Sequence, residues 1–175
     1  SSFTNAGTIT GAGTLNVGAG AGTLTNNGII APGFANGDST STLAIDGNLV
    51  MGATGSLNLH MHAPVAGSYD VLNVTGTATL TDGTLNLSGV GAASSYPVLA
   101  ATGGVAGSFG TVNSGTFTLT NTQYNANDVT PVVGANTQAA IWWTGAATGN
   151  WGTAANWSSG VAPTAATDVY VPDGI

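Results

Sequence analysis

Apolar and polar residues alternate along most of this chain in short runs, as in Leu57-Asn58-Leu59-His60-Met61 and Leu85-Asn86-Leu87. A period of two is that of a half-buried strand, with one face in a core and the other in water. Many runs open on Gly or Ser followed by Thr or Ser. Gly83-Thr84-Leu85-Asn86-Leu87 has looser copies in Gly13-Thr14-Leu15-Asn16-Val17, Gly22-Thr23-Leu24-Thr25, Ser41-Thr42-Leu43-Ala44-Ile45, Gly55-Ser56-Leu57-Asn58-Leu59 and Gly115-Thr116-Phe117-Thr118-Leu119. A strand phrase that repeats without growing into a helix predicts stacking. Three such strands make a rung of about 20–30 residues, the size of a solenoid repeat. The expected fold is all-β, a single-stranded β-solenoid over residues 1–133. A β-sandwich is the alternative, and it would call for longer and more evenly spaced strands.

The predicted inward positions of the first segment are Phe3, Ile9, Leu15, Val17, Leu24, Ile29 and Ile30. Asn26-Asn27-Gly28, Asp46-Gly47 and Asp82-Gly83 read as turns. Pro32 breaks the ladder, since it has no N–H to donate. Loops are expected from Phe34 to Ser41, with Asn36-Gly37-Asp38 at the tip, and around Pro64. Later strands are expected at Tyr69–Val74, Gly76–Leu80, Tyr96–Ala100, Phe109–Val112 and Phe117–Thr120, with Tyr124–Val133 closing the series. Outward Thr and Asn are placed to form ladders from rung to rung.

Residues 134–175 change character. Asn136 to Ala140 reads as a linker, and all 4 Trp residues follow it: Trp142, Trp143, Trp151 and Trp157. Aromatics at this density fill a small local core or cover a solenoid end.

Charge then narrows the function classes. Charged residues are 4% of the chain, all Asp, with no Lys or Arg and a formal net charge of −7; about a quarter is usual. Neutralising nucleic-acid phosphates needs Lys or Arg, so that partner is excluded, and anionic membrane surfaces are disfavoured. With no Cys there are no disulfides and no thiol chemistry. No apolar run reaches the ~18 residues of a membrane span. No basic start precedes an apolar run, so no signal peptide is read. A chain without tryptic sites suits an extracellular setting.

Candidate chemistry is sparse. Of Asp38, Asp46, Asp70, Asp82, Asp128, Asp168 and Asp173, those beside Gly read as turn residues. No two lie close in one strand, as paired-carboxylate glycosidase chemistry would ask, so no enzyme is expected. His60 and His62 flank an inward Met61 and lie outward ~7 Å apart, with no evident third metal ligand. Calcium is the ion best suited to an uncompensated anionic surface, yet no EF-hand loop or calcium nonapeptide is present; no cofactor is expected. Asn73-Val74-Thr75, Asn86-Leu87-Ser88 and Asn156-Trp157-Ser158 fit the glycosylation sequon, a frequent coincidence in a Thr- and Asn-rich chain.

The order of phrases resembles a known group. Gly22 to Gly33, Leu43 to Leu49, Tyr69 to Gly76 and Thr79-Leu80 with the phrase after it are similar to autotransporter-like and filamentous-haemagglutinin-like β-helix modules of large secreted bacterial surface proteins. Tyr96-Pro97-Val98-Leu99, Gly107-Ser108-Phe109 and Tyr124 to Val129 resemble the closing segment of such modules. Trp143-Thr144-Gly145, Gly149-Asn150-Trp151, Asn156-Trp157, Pro163 and Asp168-Val169 resemble the element that opens them. Here that element comes last, and Asp168–Ile175 followed by Ser1–Leu15 would read as uninterrupted pattern. The resemblance implies a right-handed parallel β-helix, cut cyclically from a tandem array or docking its C-terminal segment on a neighbour. The expected function is a structural building block of an extracellular fibre, sheath or matrix, assembling head-to-tail with itself. The alternative is an adhesin stalk or a module that binds surface glycans through its Trp residues. Candidate inter-subunit contacts are Phe3, Ile9, Trp142, Trp143, Trp151, Trp157, Tyr170 and Ile175.

Overall fold

The computed structural model describes residues 2–18, 21–33, 40–61, 68–89, 93–136, 141–146, 148–165, 167 and 169–171. The chain winds through three faces and returns to the first. β1 (Ser2–Asn5), β2 (Thr8–Gly11) and β3 (Gly13–Asn16) form the first rung. β4 (Thr23–Asn26), β5 (Ile29–Pro32) and β6 (Thr42–Asp46) form the second, and β7 (Asn48–Met51), β8 (Ser56–Met61) and β9 (Val71–Val74) the third. β10 (Ala78–Thr81), β11 (Thr84–Gly89), β12 (Ser94–Ser95) and β13 (Leu99–Ala101) follow, then β14 (Val105–Ser108) and β15 (Thr111–Asn113). The first face stacks β1-β4-β7-β10-β14, the second β2-β5-β8-β11-β15 and the third β3-β6-β9-β13. All of these pairs are parallel. Neighbours in a sheet therefore come from successive rungs, which makes the fold a β-solenoid and sets aside the sandwich, whose strands pair antiparallel.

The alternation explains the core. Leu24 stacks on Leu49 and Ala78, Ile30 on Leu57 and Leu85, and Leu43 and Ile45 on Leu72 and Val74. All are buried. Ile29 departs from its expected inward position. Adjacent strand residues face opposite sides, so only one of Ile29 and Ile30 can enter the shaft, and Ile30 does. Pro32 ends β5 in register with Gly11, while pairing from β5 up to β8 stops at Ile30.

Glycines line the corner between the first and second faces. Ile29 N–H donates to the Gly7 carbonyl, Ser56 to Gly28, Thr84 to Gly55 and Gly110 to Gly83, at 2.8–3.0 Å. These glycines form a column, Gly7-Gly28-Gly55-Gly83-Gly110. A Cβ on Gly28 would strike the Gly7 backbone, and one on Gly55 the Asn26 carbonyl. Asp82 turns the chain next to this column with φ 61°, a left-handed conformation that Asp tolerates.

Asparagine has two uses. On the outside, Asn113 donates to Asn86 and Asn86 to Asn58, each at 2.8 Å, which is the expected ladder. On the inside, Asn26 departs from its expected turn role. It closes β4 with its side chain fully buried, and its Nδ2 donates to the carbonyls of Gly28 at 3.0 Å and Ser56 at 3.4 Å. Its Oδ1 accepts from Asn5 Nδ2 at 2.7 Å. Asn26→Ala removes these buried bonds, with the Gly28 carbonyl keeping only the Ser56 N–H, and takes the Oδ1 acceptor from the buried Asn5 amide. The expected loss is about 2 kcal/mol in urea unfolding followed by circular dichroism, with a smaller loss for Asn5→Ala at the end of the ladder.

The closing segment differs from the short strands expected there. Tyr96 and Val98 are buried but lie outside strands. β16 (Phe117–Tyr124) and β17 (Asp128–Asn136) form an antiparallel hairpin, and β17 runs antiparallel to β13 and β12. The reversal has a local cause. Asn125 N–H donates to the Asp128 carbonyl at 2.9 Å, and Asn125 Nδ2 and Thr130 Oγ1 both donate to Asp128 Oδ1 at 2.7 and 2.6 Å. β18 (Ile141–Trp142) and β19 (Val169–Tyr170) make a small parallel pair beyond the shaft strands. Residues 34–39 of the loop expected from Phe34 to Ser41, the loop around Pro64, His62, and most of the proposed linker Asn136–Ala140 lie outside the described residues.

Candidate assembly surface at the open end of the shaft

The two ends of the shaft are built differently. Among the described residues, β1 pairs only with β4, β2 with β5 and β3 with β6, so three parallel strand edges are free on one end. Phe3 stands in register with the buried Leu24, yet it is 55% exposed because no rung lies beneath it. Ile9 and Leu15 are half-buried for the same reason, whereas Ile30 and Ile45 above them are buried. The first rung thus presents a core cross-section to solvent. Phe3 and Ile9, both singled out in the sequence, come together here with Leu15.

Asn5 sits at this end with its side chain buried. Its Nδ2 donates to Asn26 Oδ1 at 2.7 Å, to the Gly7 carbonyl at 3.1 Å and to the Ile29 carbonyl at 3.2 Å. Its Oδ1 accepts from Gly7 N–H at 3.1 Å, its one partner among the described residues. Asn26 Oδ1, one rung on, holds the donor that Asn5 Oδ1 lacks. The space under Gly7 is open as well, for a Cβ there would meet only Asn5 Oδ1 at 3.8 Å.

At the other end the third face continues past β13 through β17 and then β16, while the first two faces stop at β14 and β15. Phe109, Phe117, Val129 and Val133 join the buried core there, and Tyr124 packs against it. The Tyr124 hydroxyl accepts from Phe109 N–H at 3.1 Å. The hairpin covers this end of the core.

The Trp segment holds a second, smaller cluster. Trp143 and Trp157 are buried and meet edge-on at 4.9 Å, and Trp151 meets Trp157 at 4.7 Å. Trp157 Nε1 donates to the Trp151 carbonyl at 2.8 Å and Trp143 Nε1 to the Ala146 carbonyl at 3.3 Å. A Cβ on Gly149 would strike the Trp143 ring, which explains a glycine at that turn. Trp142 is half-buried in β18, and its N–H donates to Ser158 Oγ at 3.0 Å. Trp151 remains 52% exposed. The Tyr170 backbone pairs with Trp142, while the Tyr170 side chain and Ile175 lie outside the described residues.

Titratable groups are scattered. Among the described residues no three His, Cys, Asp or Glu side chains gather as a metal would require. His60 Nδ1 lies 3.0 Å from Ser88 Oγ. Asp46 links three rungs at the outer corner, accepting from Asn16 Nδ2 at 2.6 Å and Thr75 Oγ1 at 3.0 Å. Among the described residues Asp70 is the exception to surface placement, being only 3% exposed. Its carboxylate accepts from Ser41 N–H and His60 N–H, both at 2.8 Å. Burial nevertheless raises its pKa from 3.8 to about 6, against the lowering effect of the His60 and Ser41 bonds.

The Asn5–Asn26 pair is what reading the sequence for turns misses. Its signal is visible in retrospect: Phe3-Thr4-Asn5-Ala6-Gly7-Thr8-Ile9 repeats as Leu24-Thr25-Asn26-Asn27-Gly28-Ile29-Ile30, one rung on. Compared with known proteins, the chain matches no family model, no curated protein and no solved structure, so the reading of this end rests on the chain's own residues.

Proposed function

We propose that the chain is a structural building block of an extracellular bacterial fibre, sheath or surface stalk, joined end to end with neighbouring solenoid rungs. The observation that carries this reading is the open first rung, with free parallel edges on all three faces around Phe3, Ile9 and Leu15. Open sheet edges are normally blunted by charge, proline or covering elements. Here the edge residues Ser2–Asn5, Thr8–Gly11 and Gly13–Asn16 carry no charge and no proline. Rung stacking offers mechanical continuity through backbone ladders, the one resource a chain without cysteine or cations has in plenty.

Electron microscopy of lengthened chains tests this. Chains extended ahead of Ser2 by one, two and three copies of residues 2–22 are expected to form rods whose length grows in proportion to the number added. Separate globules on flexible connections would overturn the shaft reading. The exposed face of Trp151 favours a second reading, a glycan-binding module, since exposed indoles stack on sugars. A glycan array probed with the protein and with Trp151→Ala decides it: a hit lost on substitution supports that reading, and a blank array removes it.

A further inference from the structure

We infer that the open end accepts one defined partner, a further parallel β-rung reading apolar-x-Asn-x-Gly-x-apolar, whose asparagine donates to Asn5 Oδ1. This deepens the structural reading and rests on it. The first two rungs show the rule of addition. Asn5 Nδ2 donates up to Asn26 Oδ1, Asn27 N–H donates down to the Asn5 carbonyl, and Ile29 N–H donates down to the Gly7 carbonyl. Carried one rung further down, the same step gives Asn5 Oδ1 a donor. It also gives Ala6 N–H and Thr8 N–H the carbonyls of the incoming Asn and Gly. The open space under Gly7 leaves room for the incoming backbone, as the missing Cβ of Gly28 does for Gly7 one rung on; the glycine of the incoming phrase continues the repeat of Gly7 and Gly28.

The covered end of a second copy does not meet these terms. In register, Asn5 continues through Asn26, Met51 and Leu80 to Gly107, so the far end offers no side-chain donor in that column. On the third face, β16 already occupies the level that an incoming β3 would need. The partner is therefore a rung of the first-rung type.

The test extends the chain with a duplicate of residues 2–22 placed ahead of Ser2. This reproduces the 21-residue step from Phe3 to Leu24 and from Ile9 to Ile30. Hydrogen exchange at Ala6 and Thr8 is expected to slow at least tenfold, and Asn→Ala in the duplicate to reverse most of that gain. Gly7→Ala gives an independent readout. It should be harmless in the parent chain and should abolish the new protection in the extended one, with exchange at β8 and β11 reporting that the shaft is still folded. A duplicate that exchanges like a free peptide on a folded shaft overturns the inference. So does indifference to Gly7→Ala in the extended chain. Self-association of the parent chain with Ala6 and Thr8 protected would also overturn it, because the occupant would then be a second copy. Second and third duplicates that fail to lengthen the rod, with the first one docked and sensitive to Gly7→Ala, would count against the fibre reading and not against this rule of addition.

Discussion

Gly55→Ala is expected to lower the free energy of unfolding by about 3 kcal/mol, whereas Gly7→Ala is expected to leave it within about 0.5 kcal/mol. The two residues occupy the same corner and the same column. The difference lies in what sits beneath them. A Cβ on Gly55 would collide with the Asn26 carbonyl and lie 2.9 Å from the Met51 sulfur. The Asn26 backbone cannot yield, because Gly52 N–H donates to that same carbonyl at 2.9 Å and the Asn26 side chain is locked inside the shaft. Close-packed interiors transmit such strain to their neighbours. Gly7 has no rung beneath it, so its methyl would enter open space. Urea titrations followed by circular dichroism, with slopes compared to confirm the same cooperative unit, give both values. Equal losses at the two positions would show that backbone freedom, and not the stacked rung, requires glycine in this column.

Much of the shaft was legible in the sequence because its causes are local. A period of two assigns Leu57, Leu59 and Met61 to the core irrespective of what they stack on, and all three are buried. Gly preceding Thr or Ser marks where the chain must bend close to the rung below. The features that escaped depend on position in the stack. Phe3 and Leu24 carry the same local pattern, yet one is exposed and the other buried, since only the second has rungs on both sides. Asn26 has the composition of a turn residue, and only the buried acceptors around it turn it inward. The β16–β17 hairpin escaped because its strands alternate like rung strands. Its direction is set by the Asn125–Asp128 turn, which a periodicity reading does not weigh. The candidate assembly surface was legible only in part. Phe3, Ile9 and Leu15 could be picked as inward apolar residues of the first strands, but Asn5 and Gly7 gain meaning only from the one-sided pairing of β1, β2 and β3.

The protein should become more stable as pH falls from about 7 to about 4, by up to about 3 kcal/mol, through Asp70 alone. Most acidic side chains in proteins behave in the opposite way, because partners in the folded state favour their charge. Asp70 has two backbone donors, Ser41 N–H and His60 N–H. No Lys or Arg exists anywhere in the chain to balance it, and among the described residues the titratable side chains next to it along the chain or at its hydrogen-bond donors are those of Tyr69 and of His60, whose Nδ1 lies 3.0 Å from Ser88 Oγ. Desolvation therefore wins, and the folded pKa lies at about 6 against 3.8 for an ordinary Asp. Above the folded value the carboxylate is charged in both states, and folding carries the full cost of burying it. As pH drops through that value the native state takes up a proton before the unfolded chain does, so stability rises. Below the unfolded value both states are protonated, and Asp70 makes no further contribution. Urea unfolding across this range should show the rise, and Asp70→Asn should flatten it, because the amide does not titrate. The position gives the effect a place in the fold. Asp70 ties Ser41, just before β6, to His60, near the end of β8, and its own N–H donates to the His60 carbonyl at 2.8 Å. A flat profile in the parent chain would mean that the two N–H bonds outweigh burial and hold the carboxylate ionised at no cost to the fold.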